Sequence, residues 1–453
     1  MMKKFRSLIA ILGWTTLTGL ATADVRLSGM FSDSMVLQRE SKLPVWGWAE
    51  PGEEVTVAIA GQKVSATADK DGNWRVTLAP LKGNGEPQEL TVTGNNTIVI
   101  KDVLVGEVWL CSGQSNMQTG LTGVETGEQE IAAATFPRIR QYAWVQPPSA
   151  VPLKEHKGRW TVCSPQTAGN WTAVGYFFAR QVHRELGVPV GIVNMSLGSM
   201  PIQTFTSLAS LKPIPSVHDA LVEYEKRLQA KQPAPEVKAE ANPFIKHLDA
   251  PPGTKAEQPE MLYNSSIVPV APYALRGALW YQGEKYTVTP EYCDFYAQAL
   301  TALITDWRKL WGPELAFGVV QLPGFGNHQQ DAIGDGWPEL RESQWKGTRS
   351  LPNVGLVVTI DLGEADIHPK KKQGVGKRLA LWALANVYDR KDVVWRGPTY
   401  KSMKIDGDKI RVRVTFNPNG GSLQFKGSAP TASPSPARTR LFTSPKRSWT
   451  ATV

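Results

Sequence analysis

Ser115 is the residue in this 453-residue chain whose surroundings best suit covalent chemistry. It lies in the run Gly106-Glu107-Val108-Trp109-Leu110-Cys111-Ser112-Gly113-Gln114-Ser115-Asn116-Met117, where an apolar stretch gives way abruptly to small and polar residues. That change is how a sequence writes a strand that ends at the edge of a sheet and presents one hydroxyl. Gly113 allows a tight turn and is expected to leave room beside Ser115 for a ligand. A serine at its free pKa is a poor nucleophile, so acyl transfer requires a base within reach. The chain has six histidines, which keeps the search short. The motif lacks the second glycine of a G-x-S-x-G elbow, and no lysine stands three residues after the serine. The bland alternative is a polar strand end in a packed domain.

The block Gly113-Gln114-Ser115-Asn116-Met117 resembles one found in the sialate O-acetylesterase family, a branch of the SGNH hydrolases. Three further segments agree with that family in order. Residues 190–195 form a short apolar run leading into Ser196-Leu197-Gly198-Ser199-Met200-Pro201-Ile202-Gln203, which resembles its Gly-Gly-Thr block. Ala278-Leu279-Trp280-Tyr281-Gln282-Gly283-Glu284 resembles its Trp-Tyr-Gln-Gly-Glu block, and Asp366-Ile367-His368-Pro369 the block that carries the catalytic histidine. The resemblance runs from about residue 27 to residue 427.

It implies a serine esterase that removes acetyl groups from sugars. Ser115 would be the nucleophile and His368 the base that accepts its proton. The backbone N–H groups of Ser115 and Gly198 and the side-chain amide of Gln282 would stabilise the oxyanion, and Gln114, Asn116, Glu284 and Lys285 would line the substrate pocket. For the acid that orients the imidazole, SGNH hydrolases usually place an aspartate three residues before the histidine, and here that position is Ala365. Asp366 is the first choice and Asp361 the next; alternatively, Asp366 only caps the turn and His368 leans on a backbone carbonyl. The remaining histidines weigh less. His183 falls in a helical pattern, His218 and His247 in a Pro/Lys/Glu/Ala-rich insertion, and His156 in a charged loop; His328 is a loop residue able to line a cleft. The scheme needs no metal or other cofactor, and no pair of histidines or cysteines has ligand spacing.

Two departures bear on the substrate. Ser199 and Met200 stand where the family usually has glycine and threonine, and Lys285-Tyr286 stand where it commonly has a small residue and asparagine. A bulky cationic pair beside the pocket would alter the substrate rather than the reaction. O-acetylated sialic acid is expected first, acetylated plant polysaccharide such as xylan second, and a non-catalytic carbohydrate-binding protein is the rival from another class. The partner is accordingly a small-molecule or oligosaccharide acetyl ester.

Residues 1–23 carry Lys3, Lys4 and Arg6, an apolar core and Ala21-Thr22-Ala23, which reads as a signal peptide cleaved before Asp24 and implies a periplasmic or extracellular site. The formal charge of +9 includes those three cations and four more in residues 428–453, both segments being free of acids. With those seven set aside, residues 24–427 carry +2, which removes the argument for nucleic-acid or membrane-surface binding. Three cysteines do not suit a disulfide framework, and pairing of Cys163 with Cys293 stays open.

These residues need a scaffold, and the pattern supplies one. Residues 24–102 hold short alternating strands punctuated by Pro51-Gly52, Asp71-Gly72 and Gly94-Asn95, which predicts a small β-sandwich. Residues 103–392 alternate apolar runs (191–195, 316–321, 354–360) with helical stretches (174–186, 292–310, 375–388), the order of an α/β sheet with crossover helices. The resemblance makes this an SGNH-like three-layer α/β/α domain. Residues 212–260 read as an exposed insertion with a helix over 217–230. Residues 393–427 open a C-terminal β region that is expected to be truncated. The tail 428–453 lacks hydrophobic periodicity and reads as a disordered basic segment or, because a frame shifted by two nucleotides can spell strand-like sequence, as a frameshift.

Overall fold

The strand Thr97–Gly113 joins the two halves of the chain. Its first residues alternate between exposed and buried, and from Val103 onward every residue is buried. Alternation suits an antiparallel strand with one wet face, and an unbroken apolar run suits a parallel strand covered on both faces. The strand does both: its start pairs antiparallel with Gln88–Thr93, and its end lies parallel between Val190–Ser196 and Gly277–Tyr281. The computed structural model describes residues 24–83, 85–144, 146–230, 248, 250–326, 336–406, 409–415 and 448–452.

The central sheet runs Gly158–Val162, Ile139–Trp144, Val190–Ser196, Thr97–Gly113, Gly277–Tyr281, Ala316–Val320, Val354–Val357. All of these pairings are parallel except that of Gly158–Val162 with its neighbour. Helix Ala173–Leu186 leads from the antiparallel edge strand into Val190–Ser196, helices Pro290–Trp311 and Trp337–Thr348 connect parallel strands, and Lys372–Asn386 follows the last of them. Ala173–Leu186 packs on Lys372–Asn386, and Pro290–Trp311 packs on Trp337–Thr348. Local chemistry sets the ends of these helices. Thr172 accepts the Gly175 N–H at 3.3 Å and opens the first, and Gly187, in the left-handed region at φ 70°, closes it.

Before the long strand, Arg26–Leu27, Leu43–Trp48 and Asn73–Leu78 form one antiparallel sheet, while Gln62–Thr67, Glu54–Ile59 and Gln88–Thr93 extend from the long strand as another. Val45, Trp74 and Val76 of the first share one apolar cluster with Val55, Val57, Leu90 and Val92 of the second. Glu107, fully buried at the foot of the central sheet, joins the halves: it accepts hydrogen bonds from Arg39 (2.5 Å), Gln38 (3.1 Å) and Arg276 (2.7 and 3.1 Å).

Some expectations needed correction. His156 sits in the charged loop before Gly158–Val162, but its side chain is fully buried, with Nδ1 2.8 Å from the Tyr142 hydroxyl, and burial pushes its pKa down to about 4. The insertion is not wholly exposed: helix His218–Ala230 buries Leu221, Tyr224 and Arg227, and Arg227 donates to the Leu248 carbonyl at 2.9 Å. All three cysteines are buried and free, so Cys163 and Cys293 do not pair. In the C-terminal region Thr399–Asp406 pairs antiparallel with Lys409–Thr415, which pairs parallel with Ser448–Thr452. The leader 1–23, His247, His328 and tail residues 428–447 lie outside the described residues. Among those described, no helix is long and apolar enough to cross a membrane.

Candidate active site

Three parallel strands end level with one another, since Ser196 and Tyr281 both pair with Gly113. The segments that follow therefore emerge side by side: Gln114-Ser115, Leu197-Gly198 and Gln282-Gly283-Glu284. Crevices beyond the carboxyl ends of parallel strands are where open α/β sheets hold ligands. Gly113 has φ +131°, and a Cβ there would stand 2.1 Å from the Tyr281 carbonyl oxygen. The glycine thus admits a neighbouring strand; the space expected beside it for a ligand is filled by backbone. The chain then makes the single helical turn Ser115–Gln118, pinned by Thr119 Oγ1 donating to the Ser115 carbonyl (2.8 Å) and Thr172 Oγ1 to the Met117 carbonyl (2.6 Å).

The fourth contribution comes from the loop beyond the edge strand Val354–Val357. It brings His368 Nε2 to 2.8 Å from Ser115 Oγ, although the two lie far apart in the chain. With the ring proton on Nδ1, the serine hydroxyl donates to Nε2. Asp366 Oδ1 accepts the backbone N–H of His368 at 2.8 Å and lies 3.6 Å from its Nδ1, too far for a hydrogen bond to the ring. Asp366 thus closes the turn and sets a negative charge beside the imidazole. Asp361 faces elsewhere: Arg378 grips both its oxygens at 2.6 Å and holds its carboxyl below the usual carboxylate range.

Two of the three expected oxyanion donors are engaged by neighbouring acceptors. The Gly198 N–H donates to Gln118 Oε1 at 2.7 Å, and Gln282 Nε2 lies 3.2 Å from Gln114 Oε1 and 3.4 Å from the Met200 carbonyl. Gln114 and Gln282 are buried, and Lys285 is exposed.

Residues 253–384 match the family described as carbohydrate esterase, sialic acid-specific acetylesterase. The sialate O-acetylesterase of Mus musculus is 31% identical over 446 residues, a span covering 86% of this chain and 79% of that protein. The chain belongs to the sialate O-acetylesterase family. The Homo sapiens sialate O-acetylesterase is 28% identical over 432 residues, covering 86% of this chain and 76% of that protein. A crystal structure of a carbohydrate acetylesterase from Xanthomonas citri superposes with a TM-score of 0.74 at 33% identity, over 87% of this chain and 82% of that one. A member of this family is a carboxylic ester hydrolase.

The departures from the family pattern have physical readings. Ser199 has φ +61°, a left-handed backbone that suits glycine and costs a serine about 1 kcal/mol. Tyr286 is buried, accepts the Ile202 N–H at 3.0 Å and donates to Gln203 Oε1 at 2.6 Å. It fastens the turn after Gln282 to the loop after Gly198.

Beneath the Ser115–His368 pair lies a buried polar cluster. Asn116 Nδ2 donates to Glu284 Oε1 and, at 3.0 Å, to the Ile367 carbonyl, while Lys372 Nζ donates to Asn116 Oδ1. Burial pushes the Glu284 carboxyl up, and Glu284 Oε2 has no hydrogen-bond partner among the described residues. Lys372 and Gln118 lie outside the motif positions expected to form the site. Lys372 left one trace, a lysine at the start of a helical pattern, where the helix dipole disfavours a cation; Gln118 left none.

Proposed function

We propose that this chain is a serine acetylesterase in which Ser115 attacks the acetyl carbonyl, His368 takes its proton and Asp366 steadies the imidazolium. The 2.8 Å approach of His368 Nε2 to Ser115 Oγ carries this reading. As the Oγ–carbon bond forms, the hydroxyl proton passes to Nε2; on collapse of the tetrahedral intermediate the sugar oxygen leaves with that proton. Water then attacks the acetyl-serine by the reverse relay and releases acetate. The oxyanion is held by the N–H groups of Ser115 and Gly198 and the amide of Gln282, each contributing about 3 kcal/mol. Gln118, whose side chain is exposed, swings away to release the Gly198 N–H. Ser115→Ala tests the scheme: hydrolysis of p-nitrophenyl acetate is expected to vanish with the thermal midpoint kept. Undiminished turnover would refute it, and folded, sugar-binding but inactive wild-type protein would favour a non-catalytic carbohydrate binder.

The substrate we favour is O-acetylated sialic acid, ahead of acetylated xylan. The names of the relatives support it, and so does Lys285, an exposed cation beside the Glu284 turn and able to meet a sugar carboxylate. In this reading Gln114 borders the pocket, and Asn116 and Glu284 serve it from below. Acetate release from the two substrates, before and after Lys285→Ala, decides between them. We further read the central sheet and its helices as an SGNH-like three-layer domain over residues 103–392, with a sandwich module over 24–102 and an exported leader over 1–23.

A further inference from the structure

Lys372 breaks a local rule. It opens the helix Lys372–Asn386, where the partial positive charge of the first turn opposes a cation, and it is 1% exposed. Burial pushes its pKa down to about 8. A charge in so unfavourable a place persists where its surroundings use it. Its Nζ donates to Asn116 Oδ1 and stands 5.4 Å from the centre of the Tyr281 ring; Glu284, Glu364 and Asp366 are the acids that act on it.

Asn116 is fully buried, and its carboxamide has two unlike ends. The ammonium faces the oxygen, and the Glu284 carboxylate and the Ile367 carbonyl face the nitrogen. Turning the amide over would set its N–H groups against the ammonium and its oxygen against the carboxylate, replacing attractions by repulsions in a site of low dielectric. The cation and the carboxylate together therefore decide which way Asn116 points. Ile367, which Asn116 holds, directly precedes His368, and Asn116 directly follows Ser115. The loop itself is open to solvent, with the His368 and Asp366 side chains 47% and 67% exposed. Asn116 is thus a buried tether between the serine turn and the histidine loop.

We propose that Lys372 is a positioning residue: its ammonium orients the Asn116 amide, which holds the Ile367 carbonyl and thereby keeps His368 at bonding distance from Ser115. The inference rests on the reading of Ser115 and His368 as nucleophile and base.

The test uses the full chain and p-nitrophenyl acetate. Lys372→Met keeps an unbranched side chain without the charge; it is expected to lower kcat about 10- to 100-fold with KM within about twofold, the size of effect that follows a small misplacement of reacting groups. Wild-type kcat should fall as Lys372 loses its proton around pH 8. The variant should lack only that alkaline fall, which assigns it to Lys372 rather than to His368, Glu284, Glu364 or Asp366. In an Asn116→Ala background, adding Lys372→Met should cost less than about twofold more, because the route through Asn116 is already cut. Labelling by a fluorophosphonate, read by mass spectrometry, locates the nucleophile separately: failure to label Ser115 overturns the underlying reading. Ser115 labelled, with Lys372→Met retaining wild-type kcat and its alkaline fall, overturns the positioning role alone. Should the variant not fold, Asn116→Ala decides, because the route runs through that amide: wild-type kcat in Asn116→Ala overturns the proposal.

Discussion

Glu107 and Glu284 are both buried carboxylates of the central sheet, one near its foot and one at the carboxyl ends of its strands, and they are treated in opposite ways. Both oxygens of Glu107 are met, by Arg39, Gln38 and Arg276. Glu284 has one oxygen met by Asn116 and one without a partner among the described residues, and the nearby ammonium of Lys372 bonds to Asn116. A fully satisfied buried cluster holds structure in place. A half-satisfied one raises the energy of the folded state and persists where it serves the site. The first fastens the amino-terminal sheets to the central one; the second lies under Ser115 and His368.

Breaking the foot should give the largest effect on stability. Glu107→Ala leaves two arginines without their carboxylate and is expected to cost about 3–5 kcal/mol, the usual loss when one partner of a buried ion cluster is removed. Chemical denaturation measures this, and turnover per folded molecule should hold. A loss of turnover with stability intact would erase the contrast between the two ends.

At the other end, Asp366→Asn should lower kcat more than about tenfold with little change in KM, because the imidazolium loses its adjacent charge while the turn keeps an acceptor. A smaller loss makes Asp366 a turn residue only; the bidentate grip of Arg378 on Asp361 leaves that carboxylate poorly placed to replace it.

Glu284→Gln sharpens the comparison through pH. The Glu284 carboxyl is raised in the folded protein, so its contribution to stability is complete below its unfolded pKa and is lost as pH rises through the folded value. As pH rises out of the ordinary carboxylate range, the wild type should therefore lose more thermal stability than the variant. Parallel curves would mean that Glu284 is not strained by its burial. The smallest effect is expected from Gln118→Ala, which frees the Gly198 N–H: kcat should stay level or rise by up to about threefold, and a large fall would show that Gln118 serves the reaction.

Strand ends and the main helices are legible along the chain. The apolar run into Gly113 and the run over 190–195 are strands that stop there, since continuous apolar character and small residues at the stop are local properties. Helix patterns at 174–186 and 292–310 were legible for the same reason and emerged as Ala173–Leu186 and Pro290–Trp311. Family resemblance singled out Ser115 and His368, but their 2.8 Å approach belongs to the tertiary structure, which folds the loop beyond the edge strand back over the strand ends. Only that folding decided that Gly113 makes way for Tyr281, that Asp361 answers Arg378, that His156 is buried against Tyr142, and that Gln118 occupies the Gly198 N–H. Lys372 is the clearest case. Whether a lysine is solvated or buried depends on what the rest of the chain packs around it, and no spacing along the sequence records that a cation, an amide and a carboxylate will meet beneath a serine.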